Sequence, residues 1–158
     1  MARHKLDKID QTILSNLQQD GRITNVDLAK NAGISAPPCL RRVRALEELG
    51  YIDHYYAELN PNMLGYGVSV FANVGLENNS EQDLQEFINA AQKMSYIREC
   101  YMVAGDMDFI IKIVAPDWDA YQNFVTQDLT ALDNVRAVKS SLIMKRNFKK
   151  PGVPIDEG

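Results

Sequence analysis

The chain has 158 residues with a formal net charge of −4 at pH 7, and 46% of its residues are hydrophobic. This length provides for one medium domain or two small ones with the composition of an ordinary soluble protein. No apolar run approaches the length of a membrane span, and the N-terminus lacks the apolar core of a signal peptide, so we expect a cytoplasmic protein. Cys39 and Cys100 have neither CxxC nor Cys/His spacing, which predicts free thiols, no metal site and no cofactor.

The charge is unevenly distributed along the chain. Residues 1–54 carry eight Lys or Arg against seven acids (net +1), whereas residues 55–138 carry four against twelve (net −8). The first segment includes a basic arm formed by Arg3, Lys5 and Lys8. A surface for nucleic acid is therefore expected in the first segment, and its small net charge predicts weak binding by a single copy.

Two helices are predicted before a glycine turn. The first follows Asp7, has apolar residues at a 3.6-residue period and ends near Gly21. The second begins at Thr24, whose hydroxyl caps the first turn while Asp27 reaches back in a capping box. Its predicted buried side consists of Val26, Leu28 and Ala29. Gly33 supplies the positive φ that a sharp reversal requires.

A third helix is predicted from the N-cap Ser35 to the terminating Gly50. Its apolar residues at three-residue steps are Leu40, Val43, Leu46 and Leu49. Cys39 is predicted to be a small packing residue. The opposite face and its flanks give the candidate DNA contacts, which are Ala36, Pro37, Pro38, Arg41, Arg42 and Arg44. Two short helices with this turn and cap spacing favour a helix-turn-helix that binds DNA over an ordinary helical hairpin with a solvated arginine face.

The remaining elements change from helical to mixed. After an extended linker, the patterns predict a strand over 68–77, a helix capped by Ser80 and Asp83, two strands joined through Gly105, a helix capped by Asp117, and a last strand over 135–146. The order β-α-β-β-α-β is typical of an α+β ferredoxin-like sandwich with both helices on one sheet face. The predicted domains are 1–54 (DNA binding), 55–62 (hinge), 63–147 (sandwich) and 148–158 (a tail without assigned function).

Such a sandwich leaves the other sheet face uncovered. These strands are apolar enough that the uncovered face predicts pairing with a second copy. A dimer would place two helix-turn-helix units side by side for half-sites about 34 Å apart.

Three stretches carry a resemblance to a known family: LDKIDQTILSNLQQDGRITNVDLA, GISAPPCLRRVRALEELGYI and ECYMVAGDMDFIIKI. In this order they resemble the Lrp/AsnC family of bacterial and archaeal transcription regulators, over Leu6 to about Lys145. The resemblance implies a DNA-binding domain, a hinge strand and an effector-binding, dimerising sandwich. It also implies nucleoid association, dimers that assemble into tetramers, octamers or larger discs, and amino acids that shift assembly and promoter occupancy.

The same resemblance implies an effector site between dimers, near the turn at residues 104–108. The matching positions are Met102, Gly105, Asp106, Asp108, Trp118, Ser141 and Leu142. Backbone N–H groups around Gly105 can hold an α-carboxylate while a nearby aspartate pairs with the α-ammonium. The alternative is that Gly105 only makes a hairpin, Asp106 and Asp108 are solvated turn residues, and Trp118 is a core residue.

Enzymatic and architectural functions are the alternatives for this arrangement of domains. Siroheme decarboxylases resemble it, but their chemistry depends on histidine and basic residues in the sandwich, and here the only histidines are His4 and His54. Hydrolase chemistry lacks a histidine partner for the same reason. A nucleoid-architectural protein that bends DNA without an effector would use the same parts as a regulator.

Overall fold

A computed structural model of the chain describes residues 5–155, so Arg3, His4 and the end of the predicted tail lie outside the described residues. The helices are α1 (Lys8–Gln19), α2 (Asn25–Asn31), α3 (Ala36–Glu48), α4 (Glu81–Lys93) and α5 (Trp118–Asn123). The strands are β1 (Val68–Leu76), β2 (Ile97–Met102), β3 (Phe109–Ala115) and β4 (Val135–Leu142). A 3-10 turn at Asn62–Leu64 precedes β1, and a π-helical turn at Phe124–Leu129 continues α5. None of the described helices has the length and apolar character needed to cross a bilayer.

The chain forms two compact units. One contains the described residues up to Glu58 and those from Phe148 onward, and the other is Leu59–Asn147. The boundary lies within the predicted hinge, 55–62. The described hinge residues form no strand, because no second strand pairs with them.

The tail packs on the helical unit. Lys149 Nζ lies 3.2 Å from Glu58 Oε2, and the Val153 N–H donates to Gln18 Oε1 at 3.1 Å. Gly152 adopts φ +62°, and a Cβ at this position would lie 2.0 Å from Gln18 Oε1. Only glycine therefore allows this turn of the tail beside α1.

Two of the predicted caps of the helical unit, Asp7 and Thr24, make side-chain hydrogen bonds. Asp7 caps α1 in a reciprocal box, with its Oδ1 accepting from the Asp10 N–H at 2.8 Å. Thr24 accepts from the Asp27 N–H at 3.1 Å. The Asp27 carboxylate, however, accepts from the Thr24 hydroxyl at 2.6 Å and not from its backbone N–H, so the cap of α2 is not the predicted capping box.

The prediction of which apolar residues are buried in this unit is partly wrong. Val26 is 67% exposed, and Leu40 and Leu49 are exposed too, whereas Cys39 and Leu46 are buried. A step of three residues falls short of a helical turn, so the nine residues from Leu40 to Leu49 advance by about 900° and these two side chains project on opposite sides of α3. The buried core of the unit consists of Ile13, Leu28, Ala29, Cys39 and Leu46.

The second unit is the predicted ferredoxin-like sandwich. Its antiparallel sheet has the order β2-β3-β1-β4. Alternate residues of β1 and β3 are buried beneath α4, α5 and the π-helical turn, in a core that includes Val70, Val74, Phe87, Phe109, Ile111, Ile113, Tyr121 and Leu129. The opposite sheet face is uncovered in the chain and mixed in character. It exposes Phe71 and Tyr101 and also carries the Lys112–Glu99 ion pair at 2.7 Å.

Candidate DNA interface and effector site

The second helix of the predicted motif starts where the sequence indicates. Gly33 has φ +69°, and α3 begins after the N-cap Ser35, whose side chain makes no cap hydrogen bond. Pro37 and Pro38 lie in the first turn and have no N–H to leave unpaired there. The Asn25 side chain at the start of α2 donates to the Ala36 carbonyl at 2.9 Å. This hydrogen bond fixes the start of α3 against the start of α2.

The three arginines of α3 occupy different environments. Arg41 and Arg44 are exposed and lie on one side of the helix with Pro37. Arg42 is turned toward α1, where its Nη1 lies 2.7 Å from Asp7 Oδ2 and 2.7 Å from Asp10 Oδ1. Arg42 therefore joins α3 to the N-terminus of α1 through its Nη1 group.

The carboxylates that hold Arg42 are themselves constrained. Asp10 is 6% exposed, so its charge requires a partner. The pKa of Asp7 is lowered chiefly by the hydrogen bond from the Asp10 backbone N–H; desolvation opposes this effect, and the Arg42 guanidinium adds to the lowering. The sequence shows an acidic capping pair and an arginine, but their contact joins residues more than 30 positions apart and becomes visible only in the packed helices.

A further contact stabilises the region after α3. The Tyr55 hydroxyl donates to Glu47 Oε1 at 3.0 Å, and its ring packs over Gly21. Partial burial, together with this hydrogen bond and the negative charge of Glu47, raises the pKa of Tyr55 to about 12. Glu47 is thereby occupied within the helical unit.

The first group of predicted effector residues surrounds the β2–β3 turn. Met102 ends β2 and is exposed, and Gly105 has φ +151° in the turn. Asp106 is exposed, whereas Asp108 is half-buried. Asp108 Oδ2 accepts from the Leu76 N–H at 2.8 Å, so one of its oxygens holds β1 in place.

The second group lies at the other end of the sheet. Leu142 is paired with Val70, four residues along β1 from the Val74–Phe109 pair that adjoins the turn. Four residues span about 13 Å in a strand. Ser141 precedes Leu142 and points to the uncovered face. Trp118 begins α5, beyond the far end of β3, and is 43% exposed beside Tyr121, so it is not a core residue. One copy of the chain does not bring the two groups together.

The described residues contain no group of three or more His, Cys, Asp or Glu placed to hold a metal ion. Both cysteines are free thiols, as predicted, with Cys39 buried and Cys100 exposed. Desolvation by neighbouring atoms raises the pKa of both thiols, including that of Cys100, although this residue as a whole is exposed.

Comparison with known proteins decides the family. Residues 6–53 match a winged helix-turn-helix DNA-binding family, and residues 69–153 match the Lrp/AsnC ligand binding domain. The chain belongs to the Lrp/AsnC family. It is 47% identical over 146 residues to the leucine-responsive regulatory protein of Rhizobium meliloti, covering 92% of this chain and 94% of the relative. It is 41% identical over 140 residues to that of Escherichia coli, covering 89% and 85% of the two chains.

Solved structures of Lrp/AsnC regulators agree with the fold. A transcriptional regulator of Neisseria meningitidis in complex with L-Met has a TM-score of 0.91 at 31% identity, with 96% of this chain and 98% of that chain covered. An AsnC family regulator of Agrobacterium tumefaciens has a TM-score of 0.88 at 32% identity, with the same coverage. This Lrp/AsnC chain is a DNA-binding transcription regulator with an effector-binding domain, and it is not an enzyme.

Proposed function

We propose that this Lrp/AsnC regulator binds specific operators through α3 and that an amino acid modulates its assembly or promoter occupancy. The observation that carries the proposal is the turn at 104–108, where backbone groups and a carboxylate are displayed in a domain of the ligand-binding type. The structure of the Neisseria meningitidis regulator with L-Met supports an amino acid as the ligand class.

The chemistry of the turn suits an α-amino acid. N–H groups around Gly105 can donate hydrogen bonds to an α-carboxylate. Asp108 uses Oδ2 for the Leu76 N–H, which leaves Oδ1 for an α-ammonium group. Met102 is exposed beside the turn and can contact an apolar ligand side chain.

The proposed site requires more than one copy of the chain. Trp118, Ser141 and Leu142 can contribute to the same ligand only if another copy brings them to the turn. A homodimer formed through the uncovered sheet face would bury the exposed rings of Phe71 and Tyr101. Dimers assembling into tetramers or octamers would then bring the turn of one copy to the opposite sheet end of another. A ligand at that junction links effector binding to assembly.

On DNA, the exposed arginines of α3 are proposed to contact the groove. Arg41 and Arg44 are placed to contact base edges or flanking phosphates, with Pro37 and Ala36 at the leading end of the helix. Arg42 holds α1 through Nη1, so its predicted contact with DNA would use its remaining N–H donors. The small net positive charge of one helical unit favours binding by two units at neighbouring half-sites. This binding would take place on the nucleoid, in the cytoplasm.

Binding of the purified chain to DNA upstream of its own gene tests this proposal. Affinity and particle mass are measured with and without each of the twenty amino acids, by electrophoretic mobility shift and by light scattering. A change in either quantity with one amino acid is the expected result. DNA binding that is indifferent to all of them would instead favour a nucleoid-architectural protein.

A further inference from the structure

An irregular pair of strands lies beside the proposed effector turn. Gly75 is paired with Ala137 and Leu76 with Val135, so Arg136 is an extra residue on β4 and forms a β-bulge. Bulges redirect a side chain away from the regular alternation of a strand, and they are common next to functional sites. The direction of the Arg136 side chain is therefore set by the bulge.

The Arg136 guanidinium lies across β1 and reaches toward the turn. Its Nε donates to the Leu76 carbonyl at 3.3 Å. A Cβ at Gly75 would lie 3.0 Å from Arg136 Nη2 and 3.3 Å from Met107 Sδ. The absence of a side chain at Gly75 is therefore what admits the guanidinium between β4 and the turn residue Met107.

Opposite charges flank the same backbone segment. Arg136 binds the Leu76 carbonyl, and the Asp108 carboxylate accepts from the Leu76 N–H at 2.8 Å. Among residues 5–155, these bonds leave the Nη groups of Arg136 and Oδ1 of Asp108 without a hydrogen-bond partner. An α-amino acid carries the matching pair of charges on adjacent groups.

Other cations of the sandwich are less well placed for this role. Lys112 is paired with Glu99, Arg98 donates to the Ser95 carbonyl near the start of β2, and Lys93 lies at the end of α4. Lys139 is on the same strand as Arg136 but opposite Asn73, three residues away along β4. Of these described cations, Arg136 is the one whose guanidinium lies beside the turn residue Met107.

We propose that Arg136 recognises the carboxylate of the effector and restricts the site to ligands with a free carboxylate. This inference rests on the proposed amino-acid site at the turn and adds its specificity-determining residue. A guanidinium offers two parallel donors to a carboxylate, which backbone N–H groups alone do not. The site therefore rejects analogues that have the same side chain but carry an amide, an alcohol or a hydrogen atom in place of the carboxylate.

Isothermal titration calorimetry of the full chain tests the proposal. The wild type is screened with the twenty amino acids, and the amino acid that binds is compared with its amino alcohol, which lacks the carboxylate. We expect Arg136→Gln to weaken binding of the acid by roughly 10- to 100-fold and to reduce its preference over the alcohol by a similar factor. The control Lys93→Gln, with the same charge change at the end of α4 and away from the uncovered sheet face, should leave both quantities within about twofold, as expected for an exposed charge.

Gly75→Ala gives an independent test that retains the arginine. Its methyl group would lie 3.0 Å from Arg136 Nη2 and push the guanidinium away from its present place beside Met107, so we expect a loss of preference for the acid in the same direction and smaller than that of Arg136→Gln. Trp118 fluorescence shows whether each variant is folded. If folded Arg136→Gln or Gly75→Ala protein binds the acid and the alcohol as the wild type does, the role of Arg136 is overturned. If the wild type binds none of the twenty amino acids, the proposed effector class is wrong and this inference falls with it. If Arg136→Gln does not fold, the Gly75→Ala result decides.

Discussion

Replacing Arg42 with methionine removes both ion pairs between α3 and α1 while keeping a long side chain. The substitution leaves the Asp10 carboxylate, which is 6% exposed, without its charged partner. The charge-assisted hydrogen bond to Asp10 contributes about 1.5–3 kcal/mol, because its loss leaves a buried acceptor unsatisfied. The bond to Asp7, whose side chain is 50% exposed, adds about 0.5 kcal/mol. We therefore expect Arg42→Met to lower the free energy of unfolding of the helical unit by roughly 2–3 kcal/mol.

Urea denaturation followed by two probes measures this change. Far-UV circular dichroism reports the helices of both units, whereas the fluorescence of Trp118, the single tryptophan, follows the sandwich unit alone, so a transition seen only by circular dichroism belongs to the helical unit. A loss of this size corresponds to a midpoint lower by roughly 1–2 M urea in the helical transition. Arg44→Met removes an exposed arginine from the same helix and should change the free energy of unfolding by no more than about 0.5 kcal/mol. Equal midpoints for the wild type and Arg42→Met would refute the assignment of Arg42 to the helical core.

Three further predictions concern DNA, pH and assembly. Arg41→Ala should relax specificity at one base pair per half-site in binding to a panel of operator variants; uniform weakening would make Arg41 a phosphate contact. Tyr55 should ionise near pH 12, against about 10 in the unfolded chain, so its stabilising contribution is complete below pH 10 and is lost as the pH rises through 12. Ultraviolet titration of Glu47→Gln should show this pKa lowered, and an unchanged Tyr55 titration would contradict the role of Glu47. Phe71→Glu should reduce the particle mass in light scattering by opening the sheet-to-sheet dimer, and an unchanged mass would place the dimer contact elsewhere.

Local patterns were sufficient to predict the sandwich. Strands β1 and β3 show alternating apolar residues, and α4 starts at the capping box from Ser80 to Asp83. Both signals come from residues close together in the sequence, so pattern reasoning can detect them. The same reasoning failed on α3, where a three-residue step was taken for one face of the helix although Leu40 and Leu49 project on opposite sides.

Contacts between distant residues were not accessible to pattern reasoning. Arg42 looks like its neighbours Arg41 and Arg44 in the sequence, and only its meeting with Asp10 distinguishes it. Arg136 shows no motif at all, since the bulge that directs it arises from the pairing of β4 with β1. The division of the effector positions between two ends of the sheet likewise follows from strand register.

Footprinting of the DNA upstream of the protein's own gene tests effector-gated operator binding most directly. The purified chain is assayed with and without the pooled amino acids. We predict protection at intervals of one helical turn that changes when the pool is added, and division of the pool then identifies the ligand. Protection that is identical with and without the pool would contradict gating by an amino acid. Phosphate contacts are strongest at low salt, so the absence of protection even there would contradict operator binding at this site.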